Sequence, residues 1–202
     1  MKRNPTRGVL GLVLLGVLVH GAEPAGVQHE RCKPAQIAFD VPGAWVVDNE
    51  QTLFQVGFIV PPMPLYALVA SPTKTPASVA LNASAVPWLF VTVETDRDLL
   101  PAPQLYKLAP EYLESLASES GNPVSTVKTL VPHHPVHQGG LKGSAAALMV
   151  VSPMGNTSLD ELAYEKGNKI WMVIAGCSSA CYVQNLGAIT RIVGSVRVGS
   201  EA

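Results

Sequence analysis

The stretch Asp160-Glu-Leu-Ala-Tyr-Glu-Lys-Gly-Asn-Lys-Ile-Trp-Met-Val-Ile-Ala175 decides the fold. Two runs rich in aromatic and branched residues flank Gly167-Asn168, and a two-residue Gly-Asn connection is a strong signal for a β-hairpin. In that register Tyr164 faces Trp171 and Leu162 faces Val173, an apolar cross-strand set that one face of a sheet would bury. Upstream, Ser144 to Val151 is apolar on both faces, as a central strand covered on both sides requires. Val124 to Val131 precedes it as a further strand, with Val127, Thr129 and Val131 expected on one face. A proline- and glycine-containing loop, from Pro132 to Gly140, is expected between the two. Successive strands with short links make an antiparallel sheet.

Helices come next. Leu105, Leu108, Ala109, Tyr112, Leu113 and Leu116 form one apolar stripe at helical spacing, with Gly121 and Pro123 just beyond its end. Pro110 is the one residue out of keeping with that helix. A second stripe, Val183, Leu186, Ile189 and Val193, predicts a carboxy-terminal helix ending near Gly194, and Ser195 to Val198 reads as a short extension packing back. Earlier strands are expected at Gln36–Asp40, Leu65–Ala70 and Trp88–Thr95, with residues 72–85 as loop. The expected class is α+β, an antiparallel sheet flanked by helices in an α/β/α sandwich.

The first 21 residues read as an address. Lys2, Arg3 and Arg7 precede an unbroken apolar run from Val9 to Val19, and Val19 and Gly21 suit the −3 and −1 positions of a cleavage site. The run is about half the roughly 20 residues a membrane-spanning helix needs. The expected organisation is a signal peptide over 1–21, an irregular arm over 22–34 and one domain over 35–202. The mature protein is expected to be exported, periplasmic or extracellular, with no stable membrane insertion. Three of the 14 Lys and Arg, and none of the 15 Asp and Glu, lie in residues 1–21, so the remainder carries a formal charge of −4. That mixed, mildly acidic balance argues against nucleic acid or anionic lipid as partner.

Three cysteines, Cys32, Cys177 and Cys181, leave one over if a disulfide forms. Cys177-Ser-Ser-Ala-Cys181 sits where a strand feeds a helix, and a disulfide is expected there, stapling the two and leaving Cys32 over. Spacing does not settle connectivity, and Cys32 could take one of the pair. Redox work would need a low-pKa thiolate, which a helix start can supply, but the spacing is not Cys-x-x-Cys. His133, His134 and His137 form His-His-x-x-His, and with Cys177, Cys181, Met149 or Met154 they offer imidazole and sulfur to copper or zinc. The plainer reading is a solvated loop that happens to hold histidines. Ser71-Pro-Thr-Lys74 matches Ser-x-x-Lys in letters, yet Pro72 and Pro76 argue for loop rather than the helix that chemistry needs. Trp45, Trp88 and Trp171 are expected in the core.

The order of these elements, with Phe39, Pro42, Trp45, Gly143 and Ser195 at matching points, resembles the PsbP-like fold family over residues 35–198. That family includes a photosystem II extrinsic protein, Ran-binding relatives and exported bacterial domains of the LpqN and DcrB types. The resemblance implies an antiparallel sheet between helices and a role in binding or scaffolding. No catalytic residues and no cofactor carry over with it. The expected function is therefore an exported, non-enzymatic domain that binds a protein or envelope component. The alternative is a periplasmic copper-, zinc- or redox-handling protein built on His133–His137 and Cys177/Cys181.

Overall fold

A computed structural model describes residues 26–55, 64–76, 83–95, 126–153 and 155–199. The amino-terminal run and the Leu105–Leu116 stripe lie outside these. The described elements are β1 (Val27–Cys32), β2 (Ile37–Pro42), β3 (Val46–Asn49), α1 (Glu50–Gln55), β4 (Tyr66–Ser71) and β5 (Trp88–Glu94). They continue with β6 (Thr126–Gln138), β7 (Leu141–Ser152), β8 (Gly155–Lys166), β9 (Lys169–Ser178), α2 (Ser179–Ser195) and β10 (Arg197–Val198). Every strand pairing among them is antiparallel. The class is α+β.

Seven strands form one sheet in the order β3-β4-β5-β9-β8-β7-β6, and β1-β2-β10 form a second, smaller one. The β8–β9 hairpin turns at Gly167-Asn168 with Gly167 at φ 66°, and Tyr164 pairs with Trp171 and Leu162 with Val173. Strand alternation then divides the large sheet into two buried faces. On the first, Leu68, Val91, Leu162, Tyr164, Trp171 and Val173 meet the inner face of the small sheet, through Ile37, Phe39 and Val41, and α2, through Tyr182, Ile189 and Ile192. On the second, Ala67, Val69, Trp88, Phe90, Leu148, Leu159, Met172 and Ile174 cluster with Leu53 of α1.

Polar contacts fasten the small sheet to the large one. Trp171 donates its indole N–H to Ala35 O at 2.8 Å, and Lys169 Nζ reaches Gln36 Oε1 at 3.3 Å. The Gln138 amide donates to Val196 O at 2.9 Å and accepts from Val198 N–H at 2.7 Å. One side chain at the end of β6 thereby grips the backbone on either side of Arg197.

Four sequence expectations change. Residues 27–32, expected as irregular arm, form β1; its inward residues Gln28 and Glu30 are polar, so hydrophobic alternation gave no signal and pairing with β2 makes the strand. The expected loop at 132–138 is the second half of β6. Pro132 and Pro135 are tolerated because β6 is an edge strand, and two register shifts absorb the irregularity. Those shifts also separate Val131 from Val127 and Thr129: Val131 pairs with Ala147 and crosses to the first face, while Thr129 pairs with Leu148. Finally, α2 is rotated. Its buried residues are Cys181, Tyr182, Ile189 and Ile192, while Val183 is 77% and Leu186 47% exposed. The turn of about 100° between residues 182 and 183 is enough to exchange their environments. Tyr182 points inward because its hydroxyl donates to Asp160 on β8.

Candidate functional site

Among the described residues, the outer face of the small sheet carries an open concave site. β1 alternates, so His29 and Arg31 point outward while Gln28, Glu30 and Cys32 turn in. β2 alternates in step, burying Ile37, Phe39 and Val41 and leaving Ala38 and Asp40 on the open side. Arg31 pairs with Ala38, and Ala38 pairs in turn with Arg197 of β10. The result is a row with an arginine on either side of one methyl group. One step along, His29 Nδ1 meets Asp40 Oδ1 at 2.7 Å. These side chains and Ser195 line an open pocket of about 370 Å³.

Its geometry is fixed from behind. Ser195 Oγ accepts from Asp40 N–H at 2.9 Å and donates to Ile192 O at 2.7 Å, joining β2 to the last turn of α2. Arg197 Nη1 donates to Gly194 O at 3.1 Å and Val196 O at 2.8 Å. A cation at the carbonyl end of a helix is favourably placed, and carbonyl partners leave its positive charge in place.

The histidines and cysteines singled out as a possible metal or redox site do not come together among the described residues, and Met154 lies outside these. Cys177 and Cys181 form a disulfide across Cα atoms 5.8 Å apart, and Cys32 is a free thiol on β1. The bond joins the end of β9 to the first turn of α2, where Ser178 Oγ accepts from Cys181 N–H at 3.4 Å. Cys177 shares a cross-strand row with Ser158, Met149 and Lys128, so its position along β6 is five residues before His133. His134 pairs with Ala145 toward the first face, whereas His137 pairs with Lys142 on the second, and His133 Nδ1 lies 3.1 Å from Ser144 Oγ on that same second face. Strand alternation has divided the histidines, and among the described residues no three His, Cys, Asp or Glu side chains are grouped to hold a metal. Ser71 ends β4, with its hydroxyl accepting from Thr73 N–H at 3.2 Å, so Ser71-x-x-Lys74 opens no helix. Trp88 and Trp171 are core, and Trp45 packs at its margin.

A feature no motif announced lies on the second face. Trp88 Nε1, His133 Nε2 and Glu161 Oε2 are buried with no hydrogen-bond partner among the described residues. Glu161 is 7% exposed between Ala146 and Ile174, and burial pushes its carboxyl up to about 7. Burial also raises Glu94, against a hydrogen bond from Thr92, and lowers His133, with His134 adding to the effect. On the first face the corresponding groups are satisfied: Tyr182 donates to Asp160, and Ser158 Oγ meets Ser179 Oγ at 2.9 Å. Burial raises both Asp160 and Tyr182; the shared bond restrains the first and reinforces the second.

Comparison of the architecture with solved structures is decisive for the fold. The solution structure of cyanobacterial PsbP (CyanoP) from Synechocystis sp. PCC 6803 superposes with a TM-score of 0.58 over 89% of this chain and 96% of that one, at 10% identity. The chain has a PsbP-like fold. LpqN of Mycobacterium tuberculosis, described as involved in cell envelope biogenesis, matches at TM-score 0.50 and 11% identity, over 89% of this chain and 87% of LpqN. No protein-family model and no curated protein matches the sequence. The PsbP-like likeness is thus one of backbone architecture. It brings no residue roles with it. Among the described residues of this PsbP-like chain, no helix is long and apolar enough to cross a membrane.

Proposed function

We propose that this chain is an exported, non-enzymatic domain that binds or scaffolds a protein or envelope component, and that it does so through the outer face of the small sheet. The observation that carries the reading is the pocket itself: His29, Arg31, Asp40 and Arg197 converge there around a small residue, on a face that no described element covers. Exposed charged side chains held on strands suit recognition, because the scaffold has already restricted them. The envelope role stated for LpqN, which shares the fold, is in keeping with such a partner. The test is capture from the native host with wild-type protein and an Arg31→Gln/Arg197→Gln double variant. A partner retained by the first and lost by the second supports the reading. Equal retention by both removes this face from it.

Export rests on residues 1–21. Mass spectrometry of the mature protein is expected to find an amino terminus near Ala22; intact Met1 on cytoplasmic protein would refute it. We further propose that the apolar stripe Leu105–Leu116 covers the second sheet face and completes an α/β/α sandwich. Leu113→Ala should then cost about 2–5 kcal/mol, whereas a loss below about 0.5 kcal/mol would leave that face to another segment.

A further inference from the structure

We propose that the first face of the large sheet carries a second docking surface, a trough over β7 and β6 beside α2 that receives an acidic amphipathic helix of a partner protein. The surface is separate from the pocket on the small sheet and does not depend on it. α2 rests on β8, β9 and β2, while β7 and β6 carry the large sheet two strands further. Cys181 is tied to Cys177 on β9, and Tyr182 bonds Asp160 on β8. Successive helical residues turn by about 100° in one sense, so Val183 follows on the side of β7, and Leu186 stands there about one turn beyond Tyr182. Asp160 pairs with Ala147, and Ala147 with Val131, so one row runs from beneath Tyr182 to the sheet edge. Ala147 and Ala145 form the floor, α2 one wall and Val131 the far rim.

Apolarity, width and charge together select the occupant. Val183 is 77%, Leu186 47% and Val131 46% exposed, three of the seven large apolar side chains left exposed among the described residues. Apolar side chains gathered in one place mark a surface that another molecule covers. The span from β8 to β6 is two strand spacings, roughly 10 Å, which is the distance at which helices pack side by side. Methyl groups on the floor let a helix lie close. β6, β7 and α2 contain no Asp or Glu, although the chain has 15. Lys128 stands on the trough side of β6, opposite Met149, and among the described residues no carboxylate pairs with it. A helix with an apolar stripe and Asp or Glu along its flank complements the trough in shape, polarity and charge. A second copy of this chain offers no such helix among its described elements, since α2 has no acid and α1 is six residues long. An anionic membrane would meet a chain whose formal charge beyond residue 21 is −4.

The test places the photo-cross-linker p-benzoylphenylalanine at Val131 or at Leu186 of the full chain in its native host. Val46, exposed on the opposite edge strand β3, is the control position. Both probes are expected to join the same segment of one partner, read by mass spectrometry as an apolar stripe at helical spacing flanked by Asp or Glu. Lys128→Glu should cut the cross-linking yield tenfold or more, and Lys128→Arg should keep it. A synthetic peptide of the joined segment should shift the Ala145 and Ala147 amides of ¹⁵N-labelled protein saturably. The Arg31→Gln/Arg197→Gln double variant should cross-link as wild type does, because the pocket is a separate surface. Cross-links to lipid alone, to a second copy of this chain or to a segment without acids overturn the proposal. So do yields no higher than from Val46, or a yield that falls in the double arginine variant.

Discussion

Gly143 stands directly opposite Tyr164 in the β7–β8 ladder, and a β-carbon on Gly143 would enter the tyrosine ring and press on the Ala163 carbonyl. The ring covers the gap that the glycine leaves, and Tyr164 is itself buried in the first-face core. Gly143→Ala should therefore destabilise by about 1–3 kcal/mol through overpacking. Denaturant unfolding checks it. In a Tyr164→Leu background the cost should shrink, and an unchanged cost would locate the clash at the backbone alone.

The rotated α2 gives opposite outcomes for two residues of the same sequence stripe. Ile189→Ala should cost about 2–5 kcal/mol, because Ile189 is fully buried. Val183→Ala should fall within about 0.5 kcal/mol of wild type, because Val183 faces solvent. Similar losses at both positions would restore the unrotated stripe.

Stability should depend on pH through Glu161. Its folded-state carboxyl is raised from 4.5 to about 7 by burial. A raised pKa means that the folded state holds a proton the unfolded state has released. The contribution is fully present below pH 4.5 and is lost as pH rises through about 7. The ceiling is roughly 3 kcal/mol at about 1.4 kcal/mol per pH unit. Glu161→Gln keeps the shape and removes the charge, so its unfolding free energy should vary less between pH 5 and pH 8 than that of wild type. Parallel curves would show that Glu161 ionises in water.

Denatured, unreduced protein should contain one free thiol, mapped to Cys32. Replacing Cys177 and Cys181 by serine removes a short loop closure, and should cost roughly 2 kcal/mol by chain entropy. Copper and zinc content should not change. Three free thiols, or stoichiometric metal lost on mutating His133 or His137, would return the metal reading.

The hairpin at Gly167-Asn168 was legible because turn chemistry and strand alternation lie within sixteen neighbouring residues. The helix at 179–195 was legible as an element but not in its rotation, which the Tyr182–Asp160 contact decides from another strand. Pro132 and Pro135 pointed to loop because position at a sheet edge, which excuses them, is a property of strand order. The pocket had no local signal at all. Arg31 and Arg197 become neighbours only through β2, each an ordinary exposed arginine in its own segment. Glu161 did leave a trace, an acid alternating with Leu159 and Ala163 on a face that proves buried.

The Gln138 clamp on β10 bears on the order in which the molecule can assemble. A chain emerging from the ribosome presents its amino-terminal part first, so β1 and β2 are available long before Arg197 and Val198 exist to close beside them. Until then the second edge of β2 lacks its strand, and Gln138 has no backbone to grip. Closure over such a separation is slow to find by search. The small sheet is thus completed by one of the most non-local pairings of the described fold, a contact whose loop-closure cost falls before its reward.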